Sequence, residues 1–290
     1  CFHMKIMAED KKLAAVPTLI RGASVNTPGL SVFDPVNELP PNYSVQGVRY
    51  PILTRTLNAG EVMKAEPGSM LTMGDNITMK SGLMGKGLSG ALRAGFGGEL
   101  FKNTYSNKGS EPETISLAGN IPFGTLVGID LDNNDGKFIA QPGAYFASEE
   151  NVKVSAQQLR AQSCTACCCG GMPPIVQSIK GTGMAYILGS GTVVTKQLEA
   201  GEKIMVSTDG LLGFSNSVKF DVKQVGNCQT CCFGGEGCFN TQLEGPGLVY
   251  MQSFSTAKLM ALMPPKGKGG DGGGGDGGGG GGPVAIPMDR

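Results

Sequence analysis

Apolar and polar positions alternate along much of this chain. Ile121, Phe123, Thr125, Val127, Ile129 and Leu131 are interleaved with mostly small or polar neighbours, and Val218, Phe220 and Val222 with Lys219, Asp221 and Lys223. Ile77 with Met79, and Val152 with Val154, keep the same period. A period of two with one apolar side marks a half-buried antiparallel strand. Turn-forming residues separate the runs: Asn58-Ala59-Gly60, Pro67-Gly68, Asn134-Asp135-Gly136, Pro142-Gly143, Ala200-Gly201 and Asp209-Gly210. Signals at such regular spacing predict a sandwich or barrel. Helical periodicity is scarce, and its best candidate is a short helix within 151–161.

The pattern also repeats. Gly170, Gly171, Gly181 and Gly183 recur at one constant offset as Gly234, Gly235, Gly245 and Gly247. A looser copy starts at Gly97-Gly98-Glu99-Leu100-Phe101 and runs on to Leu117-Ala118-Gly119, which parallels Ile179-Lys180-Gly181 and Leu243-Glu244-Gly245. The other half of the unit recurs too: LNAGEVMKAEPGSMLTM begins at Leu57, LEAGEKIMVSTDGLLGF at Leu198, and FIAQPGAYFAS, from Phe138, matches both more weakly. Three units of about 65–75 residues with matching glycines argue a triplicated β module. The expected organisation is an N-terminal arm over 1–42, a body over 43–265 with units near 43–131, 132–198 and 199–263, and a tail over 266–290. The arm is proline-rich with little periodicity. The tail holds KGKGGDGGGGDGGGGGG, from Lys266 to Gly282, whose lack of apolar side chains predicts a flexible segment.

In order and spacing, the chain resembles the altered inheritance of mitochondria protein 24 family. The residues that carry the likeness are Ala59-Gly60-Glu61, Glu66-Pro67-Gly68-Ser69-Met70, the glycine-rich run from Gly82 to Gly98, Gly97-Gly98-Glu99-Leu100-Phe101, and a terminal series. That series is Gly234-Gly235-Glu236, Phe239-Asn240-Thr241 and Gly245-Pro246-Gly247, ending in Gln252-Ser253. The resemblance implies an all-β fold of three tandem sandwich- or barrel-like modules of the tryptophan RNA-binding attenuation protein type, with pseudo-threefold symmetry. It implies no catalytic residues, a link to mitochondrial membrane organisation in fungal members, and soluble, often multimeric bacterial ones. The sequence departs from the family in its cysteine clusters, its glycine tail and Tyr250, where tryptophan is common.

Charge narrows the function. Lys+Arg and Asp+Glu both number 24 among 290 residues, so the formal net charge is zero. A polyanion meets no electrostatic attraction, and no nucleic-acid partner is expected. No apolar run reaches the ~18 residues of a membrane-spanning helix. The lone His3 lies in the arm, so neither a general base nor a partner for a cysteine nucleophile is expected in the body. An enzyme is therefore not expected. Sheet edges need covering, and self-association, a trimer among the options, is one solution.

Two cysteine clusters are the candidate chemistry. Cys164, Cys167 and Cys168 correspond to Cys228, Cys231 and Cys232 in the next unit. Cys164-x-x-Cys167 and Cys228-x-x-Cys231 have the spacing by which two thiolates on a tight turn share one tetrahedral zinc. Small apolar thiols in glycine-rich turns, acylated cysteines, and disulfides between the clusters are the other readings. Nine cysteines, eight of them clustered in a long chain, suggest a reducing compartment; the cytoplasm is expected, or the mitochondrion by the family likeness. The expected function is a non-enzymatic scaffold acting as a homo-oligomer, the alternative a metal-binding or thiol-redox module.

Three weaker motifs remain. The run that begins at Gly82 and ends at Phe101 sets Met84, Leu88, Leu92 and Phe96 at helical spacing, the pattern of a membrane-surface or docking segment. Its many glycines favour a loop packed on the sheet instead. Gly85-Lys86-Gly87-Leu88-Ser89-Gly90 fits a dinucleotide fingerprint but lacks the βαβ setting. Asp130, Asp132 and Asn134 hint at a calcium loop, but no glutamate closes it and Asn134-Asp135-Gly136 reads better as a hairpin turn.

Overall fold

The computed structural model describes residues 29–33, 39–47, 50–83, 101–121, 123–159, 175–224 and 239–254. The described chain is all-β, apart from one 3-10 turn at Thr208–Gly210. Two strands come first, β1 (Leu30–Val32) and β2 (Tyr43–Gln46). Three sets of six follow in sequence order. The first is β3 (Ile52–Leu57), β4 (Val62–Ala65), β5 (Met70–Met73), β6 (Ile77–Leu83), β7 (Phe101–Asn107) and β8 (Glu113–Ala118). The second is β9 (Gly124–Asp130), β10 (Lys137–Ala140), β11 (Tyr145–Glu149), β12 (Lys153–Gln158), β13 (Ile175–Lys180) and β14 (Met184–Ser190). The third is β15 (Val193–Leu198), β16 (Lys203–Val206), β17 (Leu211–Ser215), β18 (Lys219–Gln224), β19 (Phe239–Glu244) and β20 (Gly247–Gln252).

One pairing rule governs all three sets. The first strand pairs with the sixth, the second with the fifth, the third with the sixth and the fourth with the fifth, all antiparallel. Even the irregularity recurs. The ladder of the third strand slips between Met70 and Thr72, between Tyr145 and Ala147, and between Leu211 and Gly213, bulging at Leu71, Phe146 and Leu212. Each set thus makes two three-stranded sheets.

Neighbouring sets are stitched by their third strands. β11 pairs with β4 of the set before it, and β17 pairs with β10. Two composite sheets result, β6-β7-β4-β11-β14-β9 and β12-β13-β10-β17-β20-β15, the second extended by β1. The remaining half-sheets, β2-β3-β8-β5 and β16-β19-β18, are separate.

Three hydrophobic clusters lie between the sheets, and the first two are completed by the following set. Leu53, Leu57, Met63, Tyr105 and Ile115 are joined by Phe146 and Tyr186 from the second set. Val127, Leu131, Phe138 and Ile179 are joined by Leu212 and Tyr250 from the third. The third cluster, around Leu198, Val218, Leu243 and Val249, takes Ile139 and Val176 from the second. Matching positions match in burial: Leu57 and Leu198 close strand one and Leu131 follows it directly, while Ile77, Val152 and Val218 lie at the entry to strand four, and all are buried.

Local chemistry sets the turns. Asp135 and Gly136 both take positive φ, and Lys137 donates its N–H to the Asn134 carbonyl at 3.0 Å, the geometry of a two-residue hairpin turn. The Asp130 carboxylate is engaged there, accepting from the Asp132 amide and from Asn133 Nδ2. Gly213 has a different reason: a Cβ would come within 2.6 Å of Phe138 Cε1 and 2.7 Å of the Ile139 carbonyl oxygen.

Three expectations change. The segment within 151–161 is not a helix. Lys153–Gln158 pairs along its length with β13, because Val152 and Val154 share one buried side, a spacing of two rather than of three or four. The alternation expected from Ile121 begins later, since Phe123 has φ 55 and is exposed ahead of β9. Leu117 lies in the sixth strand and matches Ile187 and Met251 rather than Ile179 and Leu243, which lie in fifth strands.

Because Phe146 and Leu212 fill cores of sets other than their own, Phe146→Ala is expected to lower stability by about 3–5 kcal/mol and Leu212→Ala by about 2–5 kcal/mol. Urea titration followed by circular dichroism checks both values.

Candidate functional site

The residues singled out as metal ligands, Cys164, Cys167, Cys228 and Cys231, lie outside the described residues, as do the other five of the nine cysteines. Their place in the chain order is nonetheless defined. Residues 160–174 link β12 to β13 and residues 225–238 link β18 to β19, the fourth and fifth strands of their sets. The glycine-rich segment 84–100 makes the same connection between β6 and β7 and is likewise outside the described residues. The pattern Met84, Leu88, Leu92 and Phe96 and the motif from Gly85 to Gly90 fall within it.

Two polar clusters occupy the junction of the first and second sets. In the first, Arg55 of β3 is buried, with Nη2 3.5 Å from Glu61 Oε2 and 3.6 Å from Glu149 Oε1. Its guanidinium carbon sits 5.0 Å from the centre of the Tyr43 ring. The Tyr43 hydroxyl donates to Glu149 Oε1 at 2.7 Å, and the Met184 amide donates to Glu149 Oε2 at 3.2 Å. The Tyr43 and Tyr186 rings are 5.2 Å apart. Burial pushes both phenols well above their ordinary range. A cation held between carboxylates from two sets is a clamp, since neither charge can be desolvated alone without a large penalty.

Part of this clamp recurs. Lys196 Nζ lies 2.8 Å from Glu202 Oε1, in the positions that match Arg55 and Glu61. In both turns the acid also accepts a backbone N–H three residues earlier: Asn58 donates to Glu61 at 3.1 Å and Glu199 to Glu202 at 3.0 Å. The Lys196 hydrogen bond holds the Glu202 carboxyl below the usual carboxylate range.

The second cluster surrounds Tyr145. Its hydroxyl is 2.9 Å from Ser148 Oγ, and Lys102 Nζ stands 4.3 Å from its ring centre. Lys64 donates to the backbone carbonyls of Glu150 and Val152. Burial, then repulsion from Lys64, bring the Lys102 ammonium down to about 7, against a smaller opposing pull from Glu66. The sequence offers no sign of this lysine, because its surroundings come from β4 and β11, far apart in the chain. These groups bind one set to the next.

The surface offers something different. Met70, Leu71 and Met73 on β5, Met79 on β6 and Met205 on β16 are exposed, and Tyr50 and Phe123 form an exposed ring pair 5.8 Å apart. Alternation alone does not reveal β5 as exposed, since its residues are as apolar as those of β17.

Comparison with known proteins adds a family and a fold. Residues 43–254 match a family model described as mitochondrial biogenesis AIM24, which ties that family to mitochondria by name. The uncharacterized protein M6_Spy0233 of Streptococcus pyogenes serotype M6 is 24% identical over 221 residues, 72% of this chain and 84% of the relative. The crystal structure of protein SPYM3_0169 from Streptococcus pyogenes matches with a TM-score of 0.57 at 19% identity, over 76% of this chain and 96% of that one. At that identity the likeness shows the fold. No helix among the described residues is long and apolar enough to cross a membrane.

Two measurements follow from the clusters. Glu149→Ala removes one of the two carboxylates that face Arg55, and a stability loss of about 1–3 kcal/mol is expected in urea titrations. Lys102 holds its proton less tightly in the folded chain, at about 7, than its ordinary 10.5. Between those values the unfolded chain binds the extra proton, so stability should rise with pH over that window. Lys102→Met should flatten that rise in titrations at pH 7, 8 and 9.

Proposed function

Because the chain belongs to the mitochondrial biogenesis AIM24 family, we propose that it is a non-enzymatic scaffold or assembly protein that acts as a homo-oligomer. The observation that carries this reading is the single pairing rule used in three consecutive sets, with set-to-set junctions made by the same two strands. The same observation supports three tandem modules; a pseudo-threefold arrangement of them, with an arm before the body and a glycine-rich tail after it, belongs to the proposal. Arrays of alike modules work through extended surfaces. The polar groups at the junction support this role, since Arg55, Glu149, Tyr145 and Lys64 all bridge modules. Contact with a membrane surface through the run from Gly82 to Phe101, and a cytoplasmic or mitochondrial location, belong to the same reading.

A second reading has its own observation. The two cysteine clusters fall on the same connection, from fourth to fifth strand, in the second and third sets. Ligands at matching positions of related modules support a zinc or thiol-redox module built on Cys164, Cys167, Cys228 and Cys231.

Light scattering on the purified full chain at micromolar concentration tests the first reading. A mass that is a multiple of 29.9 kDa is expected, and a monomer overturns the homo-oligomer. Metal analysis of anaerobically purified protein tests the second. One zinc per chain, lost in Cys164→Ser with Cys228→Ser, supports it; metal-free protein with freely titrating thiols removes the zinc version.

A further inference from the structure

The stitching between sets is made twice, and its third instance is absent among the described residues. β11 docks on β4 and β17 docks on β10. By the same rule β5 would dock on β16, yet these strands lie on the edges of separate sheets. Burial marks the difference. Every residue of β17 and all but the last of β11 are buried, whereas all four of β5 are exposed. The contrast is sharpest at the bulge, where Phe146 is 1% exposed and Leu212 0%, while Leu71 is 52% exposed. On the receiving side, Ile139 of β10 is 2% exposed and its match on β16, Met205, is 47% exposed.

We infer that β5 of one copy of this chain pairs antiparallel with β16 of a second copy, joining chains head to tail. The inference rests on the homo-oligomer reading and supplies its surface. The two existing junctions set the register. Ala147, Ser148 and Glu149 face Ala65, Lys64 and Met63, and Gly213, Phe214 and Ser215 face Ala140, Ile139 and Phe138. The matching residues place Thr72, Met73 and Gly74 opposite Val206, Met205 and Ile204. Met73 and Met205, both exposed, then occupy the position of Phe214 and Ile139, which are buried together. One step beyond that register, Asp75 meets Lys203, opposite charges at the end of the ladder. Leu71 then caps the third hydrophobic cluster of the other copy, as Phe146 and Leu212 cap the first and second within the chain.

A second copy suits these edges for two reasons. The rows of N–H and C=O groups on β5 and β16 need partners, and a strand added from another chain supplies them. The junction is also heterologous, since a donor strand meets a different acceptor strand. Copies joined in this way form a ring or an open chain rather than a two-fold pair.

Two edge variants of the full chain test the inference: Leu71→Asp with Met73→Asp on β5, and Met205→Asp on β16. Each alone should run as a 29.9 kDa monomer by light scattering at a concentration where the unmodified chain is multimeric. Mixed in equal amounts, they should give a mass of two chains and no more. The intact β16 of one then accepts the intact β5 of the other, and both outer edges are blocked. Restored pairing also shows that both variants are folded. If the double variant does not fold, Leu71→Ser serves in its place. Variants that keep the unmodified mass overturn the β5–β16 junction but leave the homo-oligomer reading standing. Folded variants that stay monomeric when mixed also overturn it. An unmodified chain that is itself monomeric overturns both.

Discussion

Everything in this fold depends on how the third strand of each set uses its outer edge. A strand edge carries amide hydrogens and carbonyl oxygens that need partners. In β11 and β17 those partners come from the preceding set. The hydrogen bonds fix the register between sets, and the register decides what the bulge does. At the bulge the chain gains one residue over its neighbour, and a large apolar side chain, Phe146 or Leu212, is buried in the core of the set before. Each set consists of two small sheets, and three strands make a modest surface. Sharing a core across the junction makes one continuous body from sets that bury too little individually.

The polar clusters follow from the same geometry. Joining β11 to β4 brings Glu149 toward Arg55 and Tyr145 toward Lys64 and Lys102. Arg55 has a second carboxylate, Glu61, from its own turn, and the turn's backbone fixes that acid in place. The matching lysine in the third set, Lys196, keeps its turn partner. The second set has Ile129 at this position, and it is buried. One position therefore carries a largely covered, salt-bridged cation in the first and third sets and a buried aliphatic side chain in the second.

Much of the fold was legible in the sequence, through particular residues. Alternation at Val218-Phe220-Val222 marks a strand, and Asn134-Asp135-Gly136 a hairpin turn that Lys137 closes, whereas 151–161 carries both a strand and a helix signal and only the ladder decides for the strand. Leu57 and Leu198 match in sequence and in structure because a glycine turn and an acid, Gly60-Glu61 and Gly201-Glu202, follow each leucine and are fixed by local bonds. Leu117-Ala118-Gly119 resembles the end of a fifth strand in sequence, and only the ladder places it in the sixth. The junctions were not legible at all. Nothing local to Met70-Leu71-Thr72-Met73 separates it from Leu211-Leu212-Gly213-Phe214, yet one is exposed and the other buried, since burial there is decided by a strand from another set. The glycine-rich and cysteine-bearing connections were visible as composition, and their place between fourth and fifth strands came from the ladder alone.

The forward reach of each bulge also orders events during synthesis. The first core is incomplete until Phe146 and Tyr186 have left the ribosome, and the second until Leu212 and Tyr250 have followed. Growth from the N-terminus therefore gives a nascent chain whose leading module waits, partly open, for the one translated behind it. A ribosome stalled between two modules would hold an uncapped core, a natural target for chaperones that bind exposed apolar strands.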